Sequence, residues 1–196
     1  VTNTMLMNKW SKVTLAALIS VGSLATVAET HAEGSKNPVS ATTANQAPNS
    51  YIKGIYTLAK QGKIPGTPFV AGKTLISTVH KTWGKPTKGP SAGNNYEFYN
   101  IGMGTGAFAF GVGSGDVVYD LRAFGQNVDP NHGIKSLTFS AVISALGMPA
   151  DIRFSGTDKI YVYHAGEFQL KFVGPMKVVK GKLGHIDHIN VYSSRK

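Results

Sequence analysis

One thirteen-residue pattern occurs twice and limits what this chain can become. TLISTVHKTWGKP at 74–86 lies over LTFSAVISALGMP at 137–149, an offset of 63. Ser77 and Ser140, Val79 and Val142, Gly84 and Gly147, and Pro86 and Pro149 coincide, with a large apolar residue before each Gly. This spacing predicts a short helix with its stop signal. Gly takes the left-handed conformation just past the last turn, and Pro two residues later cannot continue the helix. Leu75, Val79 and Trp83 share one face in the first copy; Phe139, Val142, Ile143 and Leu146 do in the second. The chain must therefore make the same helix twice, and each copy must find something apolar to cover.

The stretch after each helix reads as strand. Residues 96–101 and 107–112 alternate at period two after the first, and 160–164 and 168–172 after the second. Each copy then has a last strand after a Gly, at 117–121 and 186–192. The second copy carries extra residues at 174–184, GPMKVVKGKLG. Before the first copy, Ser50 is placed to N-cap a helix with Ile52, Ile55, Tyr56 and Ala59 on one face, closed by Gly62. No counterpart precedes the second copy, and residues 129–133, DPNHG, read as the joint. The expected fold class is α+β, a tandem repeat of a short helix followed by a three- to four-stranded antiparallel meander. The first repeat covers about 51–126 and the second about 127–196 of one domain, 51–196.

The stretch before that domain has a different composition. Lys9 and Lys12 precede an uncharged apolar and small-residue run at 13–27, and 30–32, THA, ends on small residues around a cleavage position. These are the three parts of a secretory signal peptide at 1–32. Residues 33–50, EGSKNPVSATTANQAPNS, hold one Val and no other large apolar residue, too little to repay the entropy of ordering. They read as a disordered linker. No later run is long and apolar enough to span a bilayer. The expected product is secreted, extracellular or associated with the cell wall. With no Cys in the chain there is no disulfide framework, thiolate metal site or Cys nucleophile, a pattern suited to a Gram-positive source.

The helix-Gly-x-Pro unit with strands after it, in tandem, resembles the helix-plus-sheet repeat of the β-lactamase inhibitory protein and of small lipoproteins of the outer-membrane assembly machinery. Residues 59–65, AKQGKIP, through the WGKP at 83–86 resemble more closely the YjgB-like family of secreted Bacillus proteins. That resemblance covers most of 51–196. Its motifs are helix stops and core positions, so it implies a fold and carries over no catalytic residue. The inhibitor resemblance implies a concave sheet face that binds another protein.

Charge supplies the binding candidates. The formal net charge is +10, and +9 without residues 1–32. From 51 to 93 there are seven Lys and no acid; from 94 to 167 acids outnumber bases seven to four; from 168 to 196 there are six bases and one acid. Lys171, Lys177, Lys180 and Lys182 form a basic ribbon at the inserted segment, suited to a phosphate-rich polymer or to blunting an edge strand. Tyr161 and Tyr163 alternate with Ile160, Val162 and His164. In one register the Tyr pair is an exposed contact surface; in the other it is core.

Catalytic motifs are weaker. GPSAG at 89–93 has the spacing of a nucleophile elbow around Ser91, but a helix stop precedes it and a strand comes after it, the reverse of what that elbow needs. The glycines from Gly102 to Gly115 lead into a strand rather than a helix N-terminus, so they suit bulges and close packing under aromatics more than a phosphate. His185 and Asp187 are the best metal candidates. On a strand they share one side and His188 takes the other, one ligand short of a catalytic zinc. DPNHG at 129–133 departs from a calcium loop at its Gly and at its twelfth position, Ser140. No cofactor is implied. The reading is a secreted, non-catalytic binding module of the cell envelope or medium, its partner a protein or an anionic wall polymer and not nucleic acid. A secreted hydrolase or metal-dependent enzyme, and an inhibitor of a secreted enzyme, are the alternatives.

Overall fold

Gly84 and Gly147 end helices as the paired motif requires. The computed structural model describes residues 42–100, 106–125, 134, 137–177 and 184–194. After a long helix α1 (Thr42–Ala59) come two eight-residue helices, α2 (Ile76–Trp83) and α3 (Phe139–Leu146). Gly84 has φ 80°, ψ −160° and Gly147 has φ 79°, ψ −168°. This corrects the expected left-handed conformation: both sit in the corner of backbone space essentially reserved for Gly, where ψ is extended. Each amide donates back to the helix, Gly84 N–H to His80 O and Gly147 N–H to Ile143 O, at 2.8 Å.

Ile52, Ile55 and Ala59 of α1 are buried, and Gly62 comes next at φ 73°. The start of α1 corrects the expected one. The helix runs through Ser50 back to Thr42 and contains Pro48, so 42–50 is helix rather than linker. Pro48 and Asn49 line one cavity with Thr138, Ser140, Ala141 and Ser144. α1 and α3 are in contact, and α1 continues through a residue that removes one backbone bond. Residues 1–41, with the expected signal peptide, and the joint at 129–133 lie outside the described residues. No helix among the described residues is long and apolar enough to cross a membrane.

The strands are β1 (Tyr96–Asn100), β2 (Ala107–Val112), β3 (Val118–Phe124), β4 (Asp151–Ser155), β5 (Asp158–Ala165), β6 (Phe168–Pro175) and β7 (His188–Ser193). They form one sheet in the order β1-β2-β3-β7-β6-β5-β4, antiparallel at every junction. The fold is mixed helix and antiparallel sheet. β3 and β7 meet at the centre, with Leu121 opposite Val191 and Asp120 opposite Tyr192.

The helices share one face of the sheet. Phe108, Phe110, Leu121, Leu170, Phe172, Ile189 and Val191 point toward them and join Ile52, Ile55, Val79, Phe139 and Val142 in one core. Trp83, the last residue of α2, packs its ring 4.9 Å from Phe69, 5.2 Å from Phe108, 5.6 Å from Phe110 and 5.9 Å from Tyr99. Each fully buried Phe is worth about 1.5–3 kcal/mol, so this cluster anchors α2 although eight residues are too few for a helix to stand alone. Leu75, expected on the apolar face of α2, is 44% exposed; it precedes the helix, and Ile76 is buried in its place.

Candidate functional site

The face opposite the helices carries a cluster of polar side chains. Alternation along β6 sends Phe168, Leu170 and Phe172 into the core and Lys171 to the other side. Lys171 lies opposite Val162 on β5 and Asn190 on β7. It is half-buried, with Nζ 4.2 Å from the centre of the Tyr192 ring. Burial lowers its pKa below that of an ordinary Lys, against the pull of the nearby Asp120 carboxylate. Lys177 is exposed just beyond β6. Lys180 and Lys182 lie outside the described residues, so of the four lysines of the expected basic ribbon the structure describes Lys171 and Lys177.

Tyr161 and Tyr163 take the core register, which corrects the exposed contact surface. They are 7% and 6% exposed. The Tyr161 ring lies 4.6 Å from that of Phe139 on α3. Tyr163 donates its hydroxyl to Gly147 O at 2.9 Å, tying the stop of α3 to β5. Burial pushes the Tyr163 phenol up to about 12. The aliphatic Ile160 and Val162 occupy the helix-free face instead, Val162 buried between neighbouring strands.

The centre of that face is Asp120, which the sequence does not single out. Between Gly111 opposite Asp120 and Val112 opposite Val118 the register slips by one, leaving Tyr119 as a bulge. A Cβ on Gly111 would meet the rings of Tyr119 and Tyr96 at 3.0 Å and Asp120 Cβ at 3.2 Å, so its missing side chain lets the three gather. Tyr96 OH donates to Asp120 Oδ2 at 2.7 Å, and Arg122 Nε donates to the same oxygen at 3.0 Å. The Arg122 guanidinium carbon stands 4.1 Å from the centre of the Tyr96 ring. Burial, and then the Asp120 carboxylate, raise the Tyr96 pKa far above that of a free phenol. Asp120 is 2% and Asn190 5% exposed, and Oδ1 of each has no hydrogen-bond partner among the described residues. Tyr96, Tyr119 and Tyr192 make a chain of edge-on rings across β1, β3 and β7, at 6.4 and 5.8 Å. The buried Asp120 carboxylate is thus held in place by Arg122 and Tyr96 beside the aromatic rings.

The metal candidates take a different geometry from the one expected. His185 bridges to Thr138 before β7 begins, and regular pairing starts at His188. Asp187 therefore does not alternate away from His188: its Oδ2 lies 2.9 Å from His188 Nδ1. The His188 ring also lies 4.9 Å from that of Phe124. Among the described residues no three His, Cys, Asp or Glu side chains gather as a metal site would need. Ser91 sits in a tight turn, its N–H bonding Asn94 O at 2.9 Å and Asn94 N–H bonding Ser91 O at 2.8 Å, ahead of a strand and not of a helix. On the helix side, His80 Nε2 meets Glu97 Oε2 at 2.7 Å, and Tyr99 OH donates to that oxygen at 3.0 Å. Glu97 is a buried acid that the strand alternation aims at α2.

A family model described as "Domain of unknown function (DUF4309)" matches residues 52–192. The crystal structure of a DUF4309 family protein, YjgB, from Bacillus subtilis subsp. subtilis str. 168 matches with a TM-score of 0.67 at 22% identity, over 76% of this chain and 99% of that one. An extracellular protein containing a SCP domain, from Bacillus anthracis str. Ames, matches with a TM-score of 0.41 at 12% identity, over 66% of this chain and 48% of that one. No curated protein matches the chain.

Proposed function

We propose a function from the premise that the chain belongs to the DUF4309 family, a domain of unknown function, so that its own residues must supply what the family description does not. The reading is a secreted, non-catalytic binding module of the cell envelope or medium, and its partner is an anionic wall polymer. The observation that carries it is the helix-free sheet face. There Asp120, Arg122, Asn190 and Lys171 sit half-buried or buried among Tyr96, Tyr119 and Tyr192, away from the helix-packed core. Burying these charges costs stability that their pairing offsets only in part, and a polar face kept at that cost supports a binding role. Lys171 and the exposed Lys177 add the positive potential that an anionic chain requires.

The two halves are read as copies. Val118 N–H donates to Thr74 O and Ile186 N–H to Leu137 O, both at 2.8 Å. Each bond ties the entry of a half's short helix to that half's last strand. The seven-stranded sheet then joins two meanders at β3 and β7, with β4 as the extra strand of the second.

The test is sedimentation of the protein with isolated Gram-positive cell walls. Binding at low salt that is released as salt rises, and that weakens in Lys171→Gln and in the Lys177/Lys180/Lys182→Ala triple variant, supports the reading. Binding indifferent to salt and to these variants points to a protein partner, as does loss of binding from walls treated with protease.

A further inference from the structure

The two edges of the sheet are finished differently. Beside β1, Thr87 N–H bonds Phe98 O and Phe98 N–H bonds Lys88 O, each at 2.8 Å, so a segment of the chain covers that edge. At the other end all five residues of β4 are exposed, and among the described residues nothing pairs with its outer side. An open strand is a template for another strand, and the side chains of β4 say which one fits. On the helix-free side Asp151 and Arg153 stand two residues apart, opposite Val162 and Ile160, with Arg153 Nε 2.6 Å from Asp151 Oδ2. On the helix side Ile152 and Phe154 are 41% and 62% exposed, and Met148, just before the strand, is 72% exposed.

Consider β4 laid antiparallel against a copy of itself, with the two-fold axis at Ile152. Asp151 then faces Arg153 of the second copy, Arg153 faces its Asp151, and Ile152 meets Ile152 on the apolar side. Centring the axis on Asp151 or on Arg153 instead sets like charges opposite each other, which is unfavourable. A one-residue slip sets the apolar side against the charged one. The sequence of this edge is thus complementary to itself in one register. We propose that the chain associates with a second copy of itself through β4, centred on Ile152, joining two seven-stranded sheets into one. A paired module would also present two helix-free faces to one polymer, where avidity multiplies a weak single-site affinity. The pairing stands without that use.

Sedimentation velocity of the full chain tests it. Wild type shows a concentration-dependent dimer. Asp151→Arg and Arg153→Asp each place like charges opposite one another twice and weaken the dimer by about thirtyfold. An equimolar mixture of the two variants restores it as a mixed dimer, because each charge again faces its opposite. The absence of Cys gives a second readout that does not rest on charge. Ile152→Cys forms a disulfide-linked dimer under mild oxidation, whereas Phe154→Cys leaves its two thiols about 13 Å apart along the strand and does not. A wild type that stays monomeric, single-charge variants that dimerise as well as wild type, a mixture that fails to recover, or cross-linking equal at 152 and 154 overturns the proposal.

Discussion

Arg122 lies over the ring of Tyr96, 4.1 Å from its centre, and both side chains bond Oδ2 of Asp120. Asp120 is 2% exposed, so its charge is held by these two groups and not by water. Removing one partner of a buried pair costs about 3–5 kcal/mol, while removing both charges together is often neutral. Arg122→Ala is therefore expected to lose about 3 kcal/mol, the low end because the Arg122 side chain is 30% exposed. The double variant Asp120→Asn/Arg122→Met is expected to lose less than Arg122→Ala alone. Urea denaturation of the three proteins checks the order.

Glycines at three positions are required for two different reasons, and alanine separates them. At Gly84 and Gly147 an added Cβ meets nothing within 4 Å, but φ near 80° with ψ near −160° is closed to other residues. Alanine at either site should cost about 1–3 kcal/mol, and the same at both, since the strain is local backbone. Gly111 is in ordinary strand conformation, where alanine would run into the Tyr119 and Tyr96 rings. Its cost is steric, so Gly111→Ala combined with Tyr119→Ala should recover part of the loss. A double-mutant cycle that shows no coupling between 111 and 119 would contradict this packing.

The same contrast explains what was legible in the sequence. Helix stops are local: Gly84 with Pro86 and Gly147 with Pro149 announce α2 and α3 within a few residues. Strand alternation is local too, and β2, β5 and β6 fall close to where period two puts them. Alternation does not say which side faces the helices. Tyr161 and Tyr163 went to the core because the sheet order places β5 under α1 and α3, with Phe139 against Tyr161. Asp120 carries no local signal. Its partner Tyr96 is 24 residues earlier, and neighbouring Tyr192 arrives only because β3 pairs with β7 across the two halves. Asp151–Ser155 alternates polar and apolar plainly, yet an edge strand with exposed Ile and Phe leaves no burial to confirm it.

His188 gives the fold a pH dependence whose sign is set by its surroundings. Burial lowers its pKa below 6.5, and the hydrogen bond to Asp187 only partly opposes this. The folded state therefore resists a proton that the unfolded chain accepts. The resulting stability is fully present above about pH 6.5 and is lost as pH falls from there through the lowered folded value. His188→Gln should flatten the fall in urea midpoint between pH 7 and pH 5. Asp187→Asn removes the carboxylate charge that opposes burial, so the His188 pKa read by NMR should drop further; a rise would contradict the balance of causes.

If the helix-free face holds an anionic polymer, Lys171 sets stability against binding. Its ammonium is half-buried over the Tyr192 ring, and burial lowers its pKa. The fold thus gains little from the charge. The cation–ring contact returns about 0.5–1 kcal/mol, and an apolar side chain of equal length regains the burial without the desolvation cost. Lys171→Met should keep the unfolding free energy within about 1 kcal/mol of wild type. Wall binding should nevertheless fall, and its salt dependence should become shallower, because one contact with the anionic chain is gone. Urea denaturation and wall sedimentation on the same preparation separate the two effects. A variant that loses stability while keeping its salt-dependent binding would assign Lys171 to the fold instead of the site.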